Sequence, residues 1–195
     1  MTSSQYTPSS FFEEYKSGID CISSQNRDDF HNKLYFSNVI SLMEKYLYDL
    51  FIYEISNDRV ALVKLGTQNR FKLESLKIPY LLHNCVEDFI INSMKNLVWH
   101  RLNDVDVFYK NVLNIPFNIN SNLLGKLKVR HDIVHRNGYD LNGNKVEISD
   151  HELDDCISTT NTFIKDIDKK YQSKKTKSGK GWFLSSPPQS SSPKE

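Results

Sequence analysis

The chain has 195 residues, which is enough for one domain with a buried core and terminal tails. It carries 25 Lys and Arg against 24 Asp and Glu, a formal net charge of +1, so no global positive field attracts a polyanion. Three cysteines without a CxxC pair argue against a disulfide framework or a zinc ribbon, and they favour a reducing compartment. Any contact with nucleic acid must therefore be local or be built by assembling subunits.

The sequence gives no sign of targeting to a membrane. The first ten residues contain neither a basic region nor an apolar run, so no signal peptide is indicated. The apolar stretch at residues 47–55 is interrupted by Asp49 and Glu54, and no stretch reaches the roughly 20 apolar residues of a membrane span. We therefore predict a cytoplasmic protein without a membrane partner.

The first half of the chain is predicted to be helical after a flexible N-terminus at residues 1–9. Ser10 and Glu13 fit a capping box, and the apolar residues that follow recur at three- and four-residue spacing. The strongest predicted helix covers residues 28–54. The apolar run at residues 59–65 fits either a short strand or a helical turn.

A second long helix is predicted over residues 76–100, with Pro79 in its first turn. A shorter helix over residues 104–113 is ended by Ile115-Pro116, because the residue before a proline disfavours the helical conformation. The inward-facing apolar positions expected on the long helix are Leu82, Val86, Phe89, Ile90, Leu97 and Val98.

Ser121 is predicted to cap a later helix that ends at Asn137-Gly138, since glycine tolerates the left-handed conformation that closes a helix. Residues 139–149 contain a turn signal followed by an alternating segment, which fits either a short β-hairpin or an ordered loop. A last helix begins at Asp150.

These elements predict one mainly α domain over residues 10–171. Residues 172–195 are rich in Lys, Ser and Pro and are predicted to be a disordered tail. Within that tail Trp182-Phe183-Leu184 is an apolar island and a candidate docking peptide.

The most informative stretch is RHDIVHRNG at residues 130–138, which mixes basic, imidazole and apolar side chains at a predicted helix end. Residues four apart share a helix face, so His131 and His135 form one pair. Arg130 flanks that pair at roughly 100° around the helix axis. The histidines lie in the last turn, where the helix dipole favours their protonated form.

The rest of this helix end is expected to hold it in place. Ile133 and Val134 are predicted to anchor the helix in the core, while Asp132 and Arg136 form a second pair four residues apart. One side of the helix is therefore expected to pack, and the other to present an arginine and two histidines.

This set of side chains suits metal-independent cleavage of RNA, in which the 2′-hydroxyl attacks the adjacent phosphate. That reaction needs a base for the hydroxyl proton, an acid for the leaving oxygen and a cation for the charge on phosphorus. Histidine can transfer protons near neutral pH, and arginine can stabilise the phosphate charge.

The string RHDIVH at residues 130–135 resembles the R-x4–6-H motif of the HEPN superfamily. Members are mostly helical domains, and many are metal-independent ribonucleases of toxin–antitoxin, abortive-infection and other anti-phage systems. The resemblance implies a HEPN-like helical bundle in which Arg130 and His135 are the catalytic pair and His131 is a supporting polar residue. It also implies an RNA substrate, a site formed across a homodimer cleft, an antitoxin or sensor partner, and no cofactor or metal.

Other interpretations of the same residues remain open. His131 and His135 could chelate a metal ion, with His151 or Asp132 as a third ligand. The domain could be a catalytically silent HEPN-like module that binds RNA or a protein, or a helical interaction module using the apolar island of the tail. His100, at the end of the second predicted long helix, fits a solvated helix end that could also line the same cleft.

Overall fold

The computed structural model describes residues 6–71 and 77–177, and within them the chain is mainly helical, as predicted. The predicted start of the second long helix at residue 76 and the apolar island at residues 182–184 lie outside the described residues. A π-helical turn at Tyr109–Leu113 continues the helix at Leu102–Phe108. The helices are α1 (Ser10–Ser23), α2 (Asp29–Asn57), α3 (Arg59–Gly66), α4 (Ile78–His83), α5 (Val86–Lys95), α6 (Leu102–Phe108), α7 (Ser121–His135) and α8 (Asp150–Lys177).

Helix α2 is the centre of the fold and confirms the strongest sequence prediction. It packs against α1, α7 and α8, and Asp28 caps its N-terminus by accepting a hydrogen bond from the backbone N–H of His31 at 2.9 Å. Its apolar positions recur every three or four residues, so they form one continuous buried face. Fully buried on that face are Val39, Ile40, Met43, Leu47, Leu50 and Phe51.

Two predicted helix caps are wrong by one residue. Ser9, in extended conformation, caps α1 by accepting a hydrogen bond from the backbone N–H three residues on, at 3.1 Å. Asn120 caps α7 in the same way at 2.8 Å. Ser10 and Ser121 are already inside their helices, so a capping side chain precedes each predicted one.

The predicted second long helix is wrong, because the chain forms the two short helices α4 and α5. Asn84 and Cys85 between them are extended, with φ and ψ of −137° and 145°, and of −81° and 137°. Since a break of two extended residues resets the helical phase, positions expected to face inward are partly exposed: Leu82 by 75%, Val86 by 42% and Val98 by 40%. The run at residues 59–65 is helical, as α3.

The helical chain extends past residue 171, where the sequence suggested that the helical domain ends. Helix α8 continues to Lys177. Tyr171 is buried and donates its hydroxyl hydrogen bond to Glu54 at 2.9 Å, and Lys175 forms an ion pair with the same carboxylate at 2.6 Å. These contacts hold the last turns of α8 against the end of α2.

The N-terminal segment before α1 is also packed where the structure describes it. Asp168 of α8 is fully buried, and Tyr6, Ser9 and Tyr46 all donate hydrogen bonds to its carboxylate. The Tyr6 and Tyr46 hydroxyls lie 2.6 and 2.9 Å from it, and the Ser9 backbone N–H donates at 3.0 Å. Residues 6–9, predicted to be flexible, are therefore tied to the core by a buried carboxylate.

The segment after α7 is an ordered loop, in place of the β-hairpin that the sequence also allowed. Among the described residues it contains one isolated antiparallel bridge, between Tyr139 and Lys145. The Ile148 N–H then donates to the Asp29 carboxylate at 3.0 Å. The loop thus joins α7 to α8 and is held against the start of α2. No helix in the described ranges is long and apolar enough to cross a membrane.

Candidate active site

The end of α7 is closed as the sequence predicted. Asn137 and Gly138 both have positive φ, of 53° and 82°. The N–H groups of Arg136 and Gly138 both donate to the Asp132 carbonyl at 3.1 Å, which satisfies the last turn of the helix. The backbone therefore turns away sharply and leaves the last side chains of α7 at a free helix end.

Replacing Gly138 by alanine is expected to lower the free energy of unfolding by about 1–2 kcal/mol, because an L side chain is strained at a φ of +82°. No atom lies within 4 Å of the added Cβ, so strain is the only penalty. Gly125, inside α7 and equally unobstructed, is the matched control: its alanine variant is expected to gain about 0.5–1 kcal/mol. Urea unfolding measures both, and equal effects would contradict the assignment of the helix stop.

The packed side of the helix end differs in part from the prediction. Asp132 is only 3% exposed and forms an ion pair with Arg136, as the four-residue spacing suggested. Ile133 packs against the core, but Val134 is 46% exposed and does not anchor the helix. The reason is rotational: successive residues are 100° apart, and the buried arc is occupied by Asp132 and Ile133.

The three predicted site residues lie together on the other side. The Arg130 Nη1 atom is 3.5 Å from the His135 Nε2 atom. The rings of His131 and His135 have centroids 4.8 Å apart with a tilt of 48°. Both imidazoles are exposed, whereas the Arg130 side chain is only 16% exposed. One helix end thus presents a held guanidinium beside two accessible imidazoles.

Glu44 lies behind the guanidinium and was missed by the sequence analysis. Its Oε1 atom is 3.8 Å from Arg130 Nη2 and 3.2 Å from His100 Nδ1. His100 therefore lines this site, which the sequence left open. Glu44 carried no sequence signal, because it is one charged residue among the apolar positions of α2, far from residue 130 along the chain.

The inner wall of this cluster contains buried polar atoms without aligned hydrogen bonds. Glu44 Oε1, His100 Nδ1 and Arg130 Nε are all shielded from solvent and have no hydrogen-bond partner in the described part of the chain. Native proteins rarely leave such atoms unpaired. Proximity of opposite charges, more than directed hydrogen bonding, holds the cluster together.

The electrostatics of His131 differ from the expectation that the helix dipole protonates it. Desolvation, followed by the positive charge of Arg136 and that of His135, lowers the pKa of His131 below its usual value of 6.5. The Asp132 carboxylate opposes this effect but does not reverse it. This shift in pKa favours the neutral His131 imidazole, which is the form able to accept a proton.

This lowered pKa can be measured by NMR titration of the imidazole signals. We expect the His131 signals to titrate with a midpoint below 6.5, since desolvation, and after it the positive charge of Arg136, disfavours the protonated ring. The His131→Asn variant assigns the signals. A midpoint at or above 6.5 would show that the helix dipole outweighs these charges.

The metal interpretation gains no third ligand from the geometry. Asp132, one proposed ligand, is engaged with Arg136. His151, the other, lies at the start of α8. Over residues 6–71 and 77–177, no three or more His, Cys, Asp or Glu side chains are grouped so as to hold a metal ion.

Comparisons with protein-family models, with curated proteins and with solved structures found no match to this chain.

Proposed function

We propose that this protein is a metal-independent endoribonuclease of the HEPN type, with Arg130 and His135 as its catalytic pair and His131 as a supporting residue. The observation that carries the proposal is the 3.5 Å approach of the Arg130 guanidinium to the His135 imidazole at an exposed helix end. A phosphate that reaches His135 would lie within reach of the arginine as well.

The proposed reaction begins with attack of a ribose 2′-hydroxyl on the adjacent phosphorus. A base removes the hydroxyl proton, the bond from phosphorus to the 5′-oxygen breaks, and an acid donates a proton to that oxygen. The products are a 2′,3′-cyclic phosphate and a 5′-hydroxyl. We assign proton transfer to His135, which is exposed and can reach a substrate, with His131, whose lowered pKa favours the neutral form, beside it.

Arg130 is assigned to the charge that builds up on the phosphate oxygens in the transition state. A guanidinium can donate two parallel hydrogen bonds to such oxygens, and this geometry is strongest when the group is held before the substrate arrives. The Arg130 side chain is mostly buried, with Nη1 near His135 and Nη2 near Glu44. That restraint reduces the entropy lost when the phosphate binds.

The assembly and setting of the enzyme are proposed from the HEPN resemblance. We propose a homodimer in which two such helix ends share one cleft, which would place two arginines and four imidazoles around the RNA. A cytoplasmic role in toxin–antitoxin or anti-phage defence, with an antitoxin or sensor protein as partner, follows from the same resemblance.

The direct test is incubation of the purified protein with total RNA, with and without EDTA. We expect cleavage under both conditions, with 2′,3′-cyclic phosphate ends, because no step uses a metal ion. Loss of cleavage in EDTA that added metal restores would support the chelation alternative. RNA binding without cleavage in either condition would support a catalytically silent RNA-binding module.

A further inference from the structure

His100 is fixed in place by the side chain that precedes it. Trp99 is 6% exposed, and its ring meets Tyr48 of α2 edge-on, with centroids 5.6 Å apart and an interplanar angle of 88°. Tyr48 lies four residues after Glu44, so both belong to the same face of α2. Packing of the tryptophan into the core therefore places the next residue, His100, opposite Glu44.

The Glu44 carboxylate presents one oxygen to both His100 and Arg130. Its Oε1 atom is 3.2 Å from His100 Nδ1 and 3.8 Å from Arg130 Nη2, so the imidazole makes the closer approach. His100 is partly buried, with 30% of its side chain exposed, and its Nδ1 atom is shielded from solvent. A substrate would therefore not contact this imidazole nitrogen directly.

We propose that His100 is a positioning residue for the catalytic pair, which shares the Glu44 carboxylate with Arg130 and so fixes the direction of the guanidinium. This inference rests on the proposed ribonuclease function. With Nδ1 3.2 Å from Oε1, His100 competes with Nη2 for the Glu44 oxygen and limits how tightly Glu44 holds Nη2. Nη1 is then left facing His135. Without His100, Glu44 would pair fully with Arg130 and draw the guanidinium away from His135.

The test compares His100→Ala with His100→Asn, because the Asn side-chain amide can place a donor close to the position of the imidazole Nδ1. In steady-state cleavage of a short RNA we expect His100→Ala to lower kcat by about 10- to 100-fold with little change in KM. His100→Asn should recover most of the loss. Arg101→Ala, an exposed neighbour, is the matched control and should behave like the wild type.

A second measurement reports on Arg130 whether or not RNA is cleaved. The Arg130→Lys variant assigns the NMR signal of the Arg130 Nε–H group. We expect this signal to shift in His100→Ala, to return to its wild-type position in His100→Asn and to stay unchanged in Arg101→Ala. An inactive wild type with these shifts would refute the ribonuclease function but retain the positioning role. An active wild type with an unchanged signal and unchanged kcat in His100→Ala would overturn the positioning role alone.

Discussion

Alanine at Arg130 or at His135 is expected to lower the rate of RNA cleavage by about 10²- to 10⁴-fold, the range typical of losing a general acid–base group or a transition-state charge contact. His135 is exposed, so its replacement removes no core packing. The Arg130 side chain is only 16% exposed, so Arg130→Lys, which keeps an aliphatic stem and a charge, accompanies Arg130→Ala. The fold, followed by circular dichroism, and the oligomeric state are expected to stay unchanged. Initial rates on one defined RNA measure the effect.

Three controls separate chemistry from general charge. Arg130→Lys keeps the positive charge but loses the planar fork, so it should recover only part of the rate. Arg59→Ala and His83→Ala remove an exposed arginine and an exposed histidine from α3 and α4, and both should cleave at the wild-type rate. Wild-type rates in the Arg130→Ala and His135→Ala variants would contradict the proposal that these two residues are the catalytic pair.

Asp168→Ala is expected to lower the free energy of unfolding by about 3–5 kcal/mol. This is the cost typical of removing a buried carboxylate and leaving its hydrogen-bond donors unpaired. The carboxylate is completely buried and accepts hydrogen bonds from Tyr6, Ser9 and Tyr46. Its loss would leave these donors unpaired and release residues 6–9 from α8. Urea unfolding gives the free energy.

Asp166 provides a matched control two residues away on α8. It pairs with Lys170 at 2.6 Å near the surface, so Asp166→Ala should cost no more than about 1 kcal/mol. If Asp168→Ala does not fold, Asp168→Asn keeps the shape and should still cost more than the control. Equal losses at both positions would show that the buried carboxylate does not anchor the N-terminal segment.

The parts of the fold that follow from local sequence were predictable. Helix α2 combines a capping Asp28 with a long apolar repeat, and both signals act within a few residues. The stop at Asn137-Gly138 was predictable for the same reason, since positive φ strongly favours these two residue types. The pairing of His131 with His135 follows from their four-residue spacing, whereas the approach of Arg130 to His135, five residues on, does not.

The failures came from competition between local signals and tertiary packing. The apolar pattern of residues 76–100 continues across Asn84-Cys85, but the chain there is extended, and periodicity alone does not mark such a break. Val134 looked like a core residue, yet Asp132, paired with a partly exposed Arg136, occupies the buried side of α7 instead. A buried carboxylate is not visible as apolar periodicity.

The inner part of the site was beyond sequence reasoning for a different reason. Glu44 and His100 meet Arg130 only because α2, α7 and the segment before α6 come together in the fold. These residues are too far apart along the chain to form a local sequence motif. Sequence offered only the spacing within α7 and the resemblance of residues 130–135 to the HEPN motif, and the proposed pair of Arg130 and His135 comes from that resemblance.

The most direct measurement uses a defined RNA with one mapped cleavage site and the same RNA with a single 2′-deoxynucleotide on the 5′ side of the scissile phosphate. The wild-type protein is expected to cut the all-ribose RNA in EDTA and leave a 2′,3′-cyclic phosphate, while the deoxy substitution and the His135→Ala variant each abolish that cut. Equal cleavage of both RNAs, or undiminished cleavage by His135→Ala, would contradict 2′-hydroxyl attack at the Arg130–His135 site.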